Sequence, residues 1–305
     1  LYSVQGDNTT VLSVTNTSDD YKAVKVRFVE GQNSAEVLDF HLYMSPQDVW
    51  TGSLVPTATG AKLVTNDTSC IAGVTKKDGT QIDGKLNFSD AQIKRDEERI
   101  ADKTKRSTAE QLSNRVKVGH FEVIEMATVT DATLQKAIKH VKGVPGDCTA
   151  ITKWWSDSVA EGGLDMGNGT DRENRGVTEL GVPTGGLYGN AAIINVKEGW
   201  AASYDAVALV DELATGTNFY TDIQHPRPGS IYPHLASVLN TGTGNIEPND
   251  ARLDAVTEAL RLESVYNDYY VDAALGATTD LVVTFPTKRF YTFEAIDIDA
   301  DAKTY

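Results

Sequence analysis

Three aspartates near the end of this chain, Asp297, Asp299 and Asp301 in the run AIDIDADA, have a type and spacing that could do chemistry. Carboxylates two residues apart can offer oxygens to one calcium ion, which makes them the candidate calcium ligands, and calcium the one candidate cofactor. An EF-hand loop would continue with Gly at its sixth position and Glu at its twelfth. Here Ala302 takes the sixth, and the sequence stops at Tyr305. Ile296, Ile298, Ala300 and Ala302 alternate with the aspartates, as a half-buried strand requires, so the pattern favours a strand over an ion site. Such a segment can pair within its own chain or with the open sheet edge of a neighbouring subunit. Ile296, Ile298 and Ala300 are therefore also the candidate assembly strand.

The other reactive residues are few. Cys70 and Cys148 are the two cysteines, too few for a four-ligand zinc site. In an oxidising compartment they predict one disulfide closing a loop of about 80 residues; two buried free thiols are the alternative. None of the five histidines, His41, His120, His140, His225 and His234, sits in an HExxH arrangement. His225 and His234 flank the proline-rich segment HPRPGSIYPH, whose irregular backbone specifies no geometry. There is no GxSxG elbow, no GxGxxG after a strand and no GxxxxGK[ST] loop, so no hydrolase or nucleotide-binding template is met and no catalytic residue is assigned.

Composition narrows the class. Of 305 residues, 40% are hydrophobic, enough for a packed core, and no apolar run approaches the roughly 18 residues needed to cross a bilayer as a helix. Against 28 basic residues stand 43 acidic ones, a net charge of -15 that repels nucleic acid and anionic lipid. The expected partners are other copies of the chain or glycans, with no nucleic acid and no membrane span.

The elements that must position these residues read as mainly β within an α+β class. Thr10 to Val55 shows four short alternating runs with turns at about ten-residue spacing, which favours an N-terminal antiparallel, immunoglobulin-like β-sandwich, with a single sheet half covered by helices as the competing arrangement. Ser89 to Arg115 is charged and free of Gly and Pro, and predicts one solvated helix with a weak stripe through Ile93, Ile100 and Leu112. HFEVIEMATV reads as a strand. Asp131 starts a helix bearing Leu134, Ala137, Ile138 and Val141, stopped by Gly143 and Pro145, and a third helix runs through Ile151, Trp154 and Trp155. Glu161 to Gly186 reads as a long loop. Two strands flank a turn at Lys197 to Gly199, an amphipathic helix covers Asp250 to Tyr270, and two strands end the chain. The expected organisation is sandwich strands over 1–66, a helical insertion plus strand over 67–160, and a second β-rich region over 161–305 that completes the sheets, the whole forming one composite domain or several.

Five blocks carry a resemblance: VLSVTNTSDDYKAVKVRFVEGQNSAEVLDFHLYMSPQDVW, GHFEVIEMATV, GVPGDC, TGGLYGNAAIINV and TDLVVTFPTKRFYT. In this order they resemble a family of secreted, uncharacterised cell-surface proteins of Gram-negative bacteria. The resemblance implies export, a β-rich surface fold and no established catalytic residues. It also implies a short hydrophobic, tyrosine-containing strand just before the position of Leu1, and further chain beyond TFPTKRFYT. The function expected is a non-catalytic, extracellular, self-assembling subunit of a surface layer, fibre or appendage. The alternatives are an adhesin that binds polysaccharide through exposed aromatics such as Trp154, Trp155, Tyr188 or Trp200, and a secreted hydrolase.

Overall fold

Apolar residues at every second position need a covered face, and two such faces folded against each other are the economical solution. The computed structural model takes that form. It describes residues 1–74, 86–157, 179–181 and 183–208, with 161, 163 and scattered positions between 263 and 283. In chain order the strands are β1 (Tyr2–Ser3), β2 (Thr9–Asn16), β3 (Lys22–Glu30), β4 (Glu36–Met44), β5 (Val49–Thr57), β6 (Gly60–Val64) and β7 (Cys70–Ala72). Helices α1 (Ala91–Glu98) and α2 (Ala109–Arg115) precede β8 (Val118–Val129). Helix α3 (Ala132–Ile138), the hairpin β9 (His140–Val141) and β10 (Val144–Pro145), and α4 (Cys148–Ser156) follow. Then come β11 (Leu180–Gly181), β12 (Leu187–Asn195) and β13 (Trp200–Asp205).

Sheet 1 has the order β1-β8-β3-β4-β7, with β11 also on β8; sheet 2 has the order β13-β12-β2-β5-β6. Every pairing is antiparallel. The four strands expected between Thr10 and Val55 are β2 to β5, and the chain changes sheet between β2 and β3 and again between β4 and β5. Between the sheets lies the main core: Leu12 and Val14 of β2 face Val24, Val26 and Phe28 of β3, Phe40 and Leu42 of β4, and Trp50 and Leu54 of β5. Phe40 and Trp50 meet across it with ring centroids 5.6 Å apart.

The charged stretch from Ser89 to Arg115 corrects the single-helix expectation. It breaks into α1, a 3-10 turn at Lys103–Lys105 and α2, and it is not simply solvated. Ile93 and Leu112 enter the main core, and Glu97 and Arg115 are buried with them. A capping box starts α2, with Thr108 and Gln111 satisfying each other's backbone N–H. Asp131 does cap α3, its carboxylate accepting from Thr133 and Leu134 N–H. That helix stops at Ile138, and Gly143 and Pro145 belong to the β9–β10 hairpin beyond it.

A second core sits on the outer side of sheet 1. Leu134 and Ile138 of α3 and Ile151, Trp154 and Trp155 of α4 pack there with Tyr43, Met126 and Cys70. The Cys70–Cys148 disulfide fastens β7 to the start of α4.

Candidate functional site: an open flank of the sandwich

Strand β8 is twelve residues long, and its neighbours differ in reach. On one side β3 pairs with it from Gly119 to Thr128. On the other, β1 covers only Val118 and Gly119, and β11 covers only Thr128 and Val129. Between these two short strands, residues 120 to 127 have no strand neighbour among the described residues. That is a gap of eight residues, or about 27 Å of strand. Val4 N–H donates to the Lys117 carbonyl on the β1 side, and Gly31 N–H to the Val118 carbonyl on the β3 side. By the alternation of an antiparallel ladder, the main-chain groups of Phe121 and Val123 then point into the gap. Gly119 sets the entrance: a Cβ there would run into the Val29 carbonyl and the Tyr2 ring.

The side chains bordering the gap are unfinished in the same sense. Phe121 and Val123 face inward, and together with Leu187 of β12 and Tyr204 of β13 they are four of the five half-buried apolar residues packed against the main core among the described residues. The Tyr204 hydroxyl donates to the Leu1 carbonyl, so the β13 edge of sheet 2 and the β1–β8 edge of sheet 1 lie on one flank. Among the described residues strand β13 is also an edge, exposed along nearly its whole length. On the outer face, His120 is 7% exposed and neither ring nitrogen makes a hydrogen bond; its Nε2 stands 3.5 Å from Glu122 Oε1, an ion-pair contact without hydrogen-bond geometry.

Behind the gap, the outer face of sheet 1 carries ionised groups in register. Glu122, Arg27 and Asp39 lie side by side across β8, β3 and β4. Arg27 Nε donates to Glu122 Oε2 at 3.0 Å, and Lys25 Nζ lies 2.8 Å from Asp39 Oδ2. Burial pushes the Glu122 carboxyl up, but the Arg27 charge and His120 outweigh it and hold the group at about 2. Nearer β11, Glu125 accepts from Lys22 Nζ at 2.6 Å and from the N–H groups of Thr184 and Gly185 at 3.0 and 2.7 Å, pinning the approach to β12.

Among the sequence-predicted residues, Cys70 and Cys148 are joined, as the oxidising-compartment reading expected. His41 and His120 lie in strands; His41 Nδ1 accepts from Trp155 Nε1–H at 2.6 Å. The proposed sugar-stacking aromatics need correction. Trp154 and Trp155 are buried in the second core because α4 turns its apolar face onto sheet 1. Tyr188 and Trp200 are exposed, but Tyr188 stands at the start of β12 and Trp200 pairs with Asn195 at its end, so they do not share a platform. Asp297, Asp299 and Asp301, the strand residues Ile296, Ile298 and Ala300, His225, His234, the helix over 250–270 and most of the loop over 161–186 lie outside the described residues. Among the described residues no cluster of His, Cys, Asp and Glu could hold a metal ion, and no helix is long and apolar enough to cross a membrane.

One constellation the sequence did not announce is Ser45, His140 and Asp48. Ser45 Oγ lies 2.8 Å from His140 Nδ1, and Asp48 Oδ2 lies 3.5 Å from the same nitrogen. A hydrolytic relay needs serine and aspartate on opposite ring nitrogens, which this cluster does not provide. It ties the β9–β10 hairpin to the β4–β5 turn instead. The gap along β8 was also invisible in sequence, because its limits are set by pairings more than 45 residues apart in the chain. Comparisons with protein-family models, with curated proteins and with solved structures found no match to this chain.

Proposed function

We propose that the protein is a non-catalytic extracellular structural protein that self-associates by strand addition into a surface layer, fibre or appendage. The observation that carries this reading is the eight-residue gap along β8, with polar main chain and half-buried apolar side chains both turned toward it. A strand edge of this length with no neighbour among the described residues is a template for another strand, and main-chain hydrogen bonds supply affinity whatever the sequence of the incomer. The disulfide suits the oxidising surroundings of an exported protein.

The experiment is sedimentation and electron microscopy of the protein from the cell surface or culture fluid, with and without a calcium chelator. Ordered assemblies that Val123→Lys abolishes are expected. A monodisperse monomer in native salt and calcium, with no assemblies on cells, overturns the reading. So does a monomer whose gap is filled by chain running on from β1 past Leu1, since an antiparallel continuation of β1 would lie along the same residues.

A second reading, binding of a polysaccharide, draws on the outer face of sheet 2. Short side chains there, among them Ser13, Thr51, Ser53, Asn190 and Ser203, line a trough of about 730 Å³ with hydroxyl and amide groups. Retention on a glycan array, lost in Asn190→Ala, would support it; no retention would remove it.

A further inference from the structure

The gap along β8 specifies its occupant in three ways. Its two ends are stopped by β1 and β11, so it takes a strand of about eight residues. Residues facing inward must be apolar, to close the rim formed by Phe121, Val123, Leu187 and Tyr204. A residue facing outward beside His120 should offer an acceptor, because Nδ1 of that buried imidazole has no hydrogen bond, whereas Nε2 already faces Glu122 Oε1.

We infer that the strand seated along β8 is the segment Ala295–Asp301 of a second copy of this chain, an inference that rests on the self-association reading. It has seven residues without proline or glycine, and Ile296, Ile298 and Ala300 alternate with Asp297, Asp299 and Asp301. Laid antiparallel to β8, it sets Ala300 against Phe121 and Ile298 against Val123, which puts Asp301 beside His120 and ends the strand short of Gly119, where β1 pairs. This register also places Asp299 beside Glu122, whose charge Arg27 already offsets. A donor from one copy and an acceptor on the next make a heterologous contact, so the product is a ring or an open fibre.

The test is cysteine cross-linking in the full chain, with the native disulfide left in place. Val123→Cys and Ile298→Cys proteins are mixed, allowed to assemble and mildly oxidised. A covalent dimer joining the two variants is expected, and none from Ile298→Cys mixed with Val49→Cys, which sits on the exposed part of sheet 2. Assemblies that form without the dimer overturn the assigned occupant and leave self-association standing. Absence of assemblies in the parent chain overturns both. A bond formed only within one molecule, seen when Val123→Cys and Ile298→Cys are placed in the same chain at high dilution, overturns the exchange between copies. Should Val123→Cys not fold, a fluorescent peptide of residues 293–302 is titrated onto the parent chain. Saturable binding is expected, roughly tenfold weaker for the Ile298→Asp peptide, and no binding overturns the inference.

Discussion

Strands β2 and β3 are neighbours in the chain and opposites in burial. In β2, every second residue is buried and the others are half covered; in β3, all nine residues are buried. Sheet 2 keeps one face toward solvent and fills it with short side chains. Sheet 1 is covered on both faces, yet its middle strand still carries Lys22, Lys25 and Arg27. A buried charge is tolerated only with a partner, and each of these cations has one across the sheet: Glu125, Asp39 and Glu122 in turn. The difference teaches that the second face of sheet 1 is held by paired charges and by a bolted-on helical layer, whereas sheet 2 needs neither. The two sheets should therefore respond differently to substitution.

The largest effect is expected at Arg115, whose guanidinium joins Glu30 at the end of β3 to Glu97 of α1, at 3.0 and 2.7 Å. Glu30 also receives the N–H groups of Gln32 and Asn33 and so fixes the β3–β4 turn. Arg115→Met leaves two buried carboxylates without their cation and should cost about 3–5 kcal/mol in urea unfolding. Next comes the disulfide. Cys70→Ser with Cys148→Ser opens a loop spanning 78 residues and should cost about 3 kcal/mol, with loosening of α3 and α4 seen first by hydrogen exchange.

A smaller effect follows from Glu122. Its folded value of about 2 lies below the ordinary 4.5, so its contribution is complete above 4.5 and is lost as pH falls from there toward 2. Acid titration of stability should be shallower over that window in Glu122→Gln than in the parent chain. An equally steep loss in both would remove Glu122 from the account. The smallest effect belongs to sheet 2: Thr51→Val, on its open face, should change stability by no more than about 0.5 kcal/mol. A cost comparable with that at Arg115 would break the contrast between the sheets.

Local pattern made much of this legible. The alternation in VLSV, VKVRF and the run from Val37 to Met44 gave β2, β3 and β4 before any pairing was known, and the Asp131 cap announced α3. The two cysteines could be paired because there were only two. What failed was the meaning of charge. Lys25 and Arg27 read as the wet side of a strand, and Glu97 and Arg115 as the wet side of a helix. Their burial depends on carboxylates that are distant in the chain and adjacent only once the register is set. The flank along β8 escaped for a related reason: β1 and β11 are two residues each, too short to leave a pattern, and they matter by the stretch of β8 between them, which no other described strand pairs on that side.

The disulfide has a mechanical consequence. A subunit pulled by its two ends transmits load through the bond between Cys70 and Cys148, and the chain between them, which includes β8 and helices α1 to α3, stays out of the line of force. Oxidised protein stretched to rupture should come up short by roughly 260 Å relative to reduced protein, the extended length of those bypassed residues. Under tension, β8 thus belongs to the part of the sandwich that cannot be drawn out.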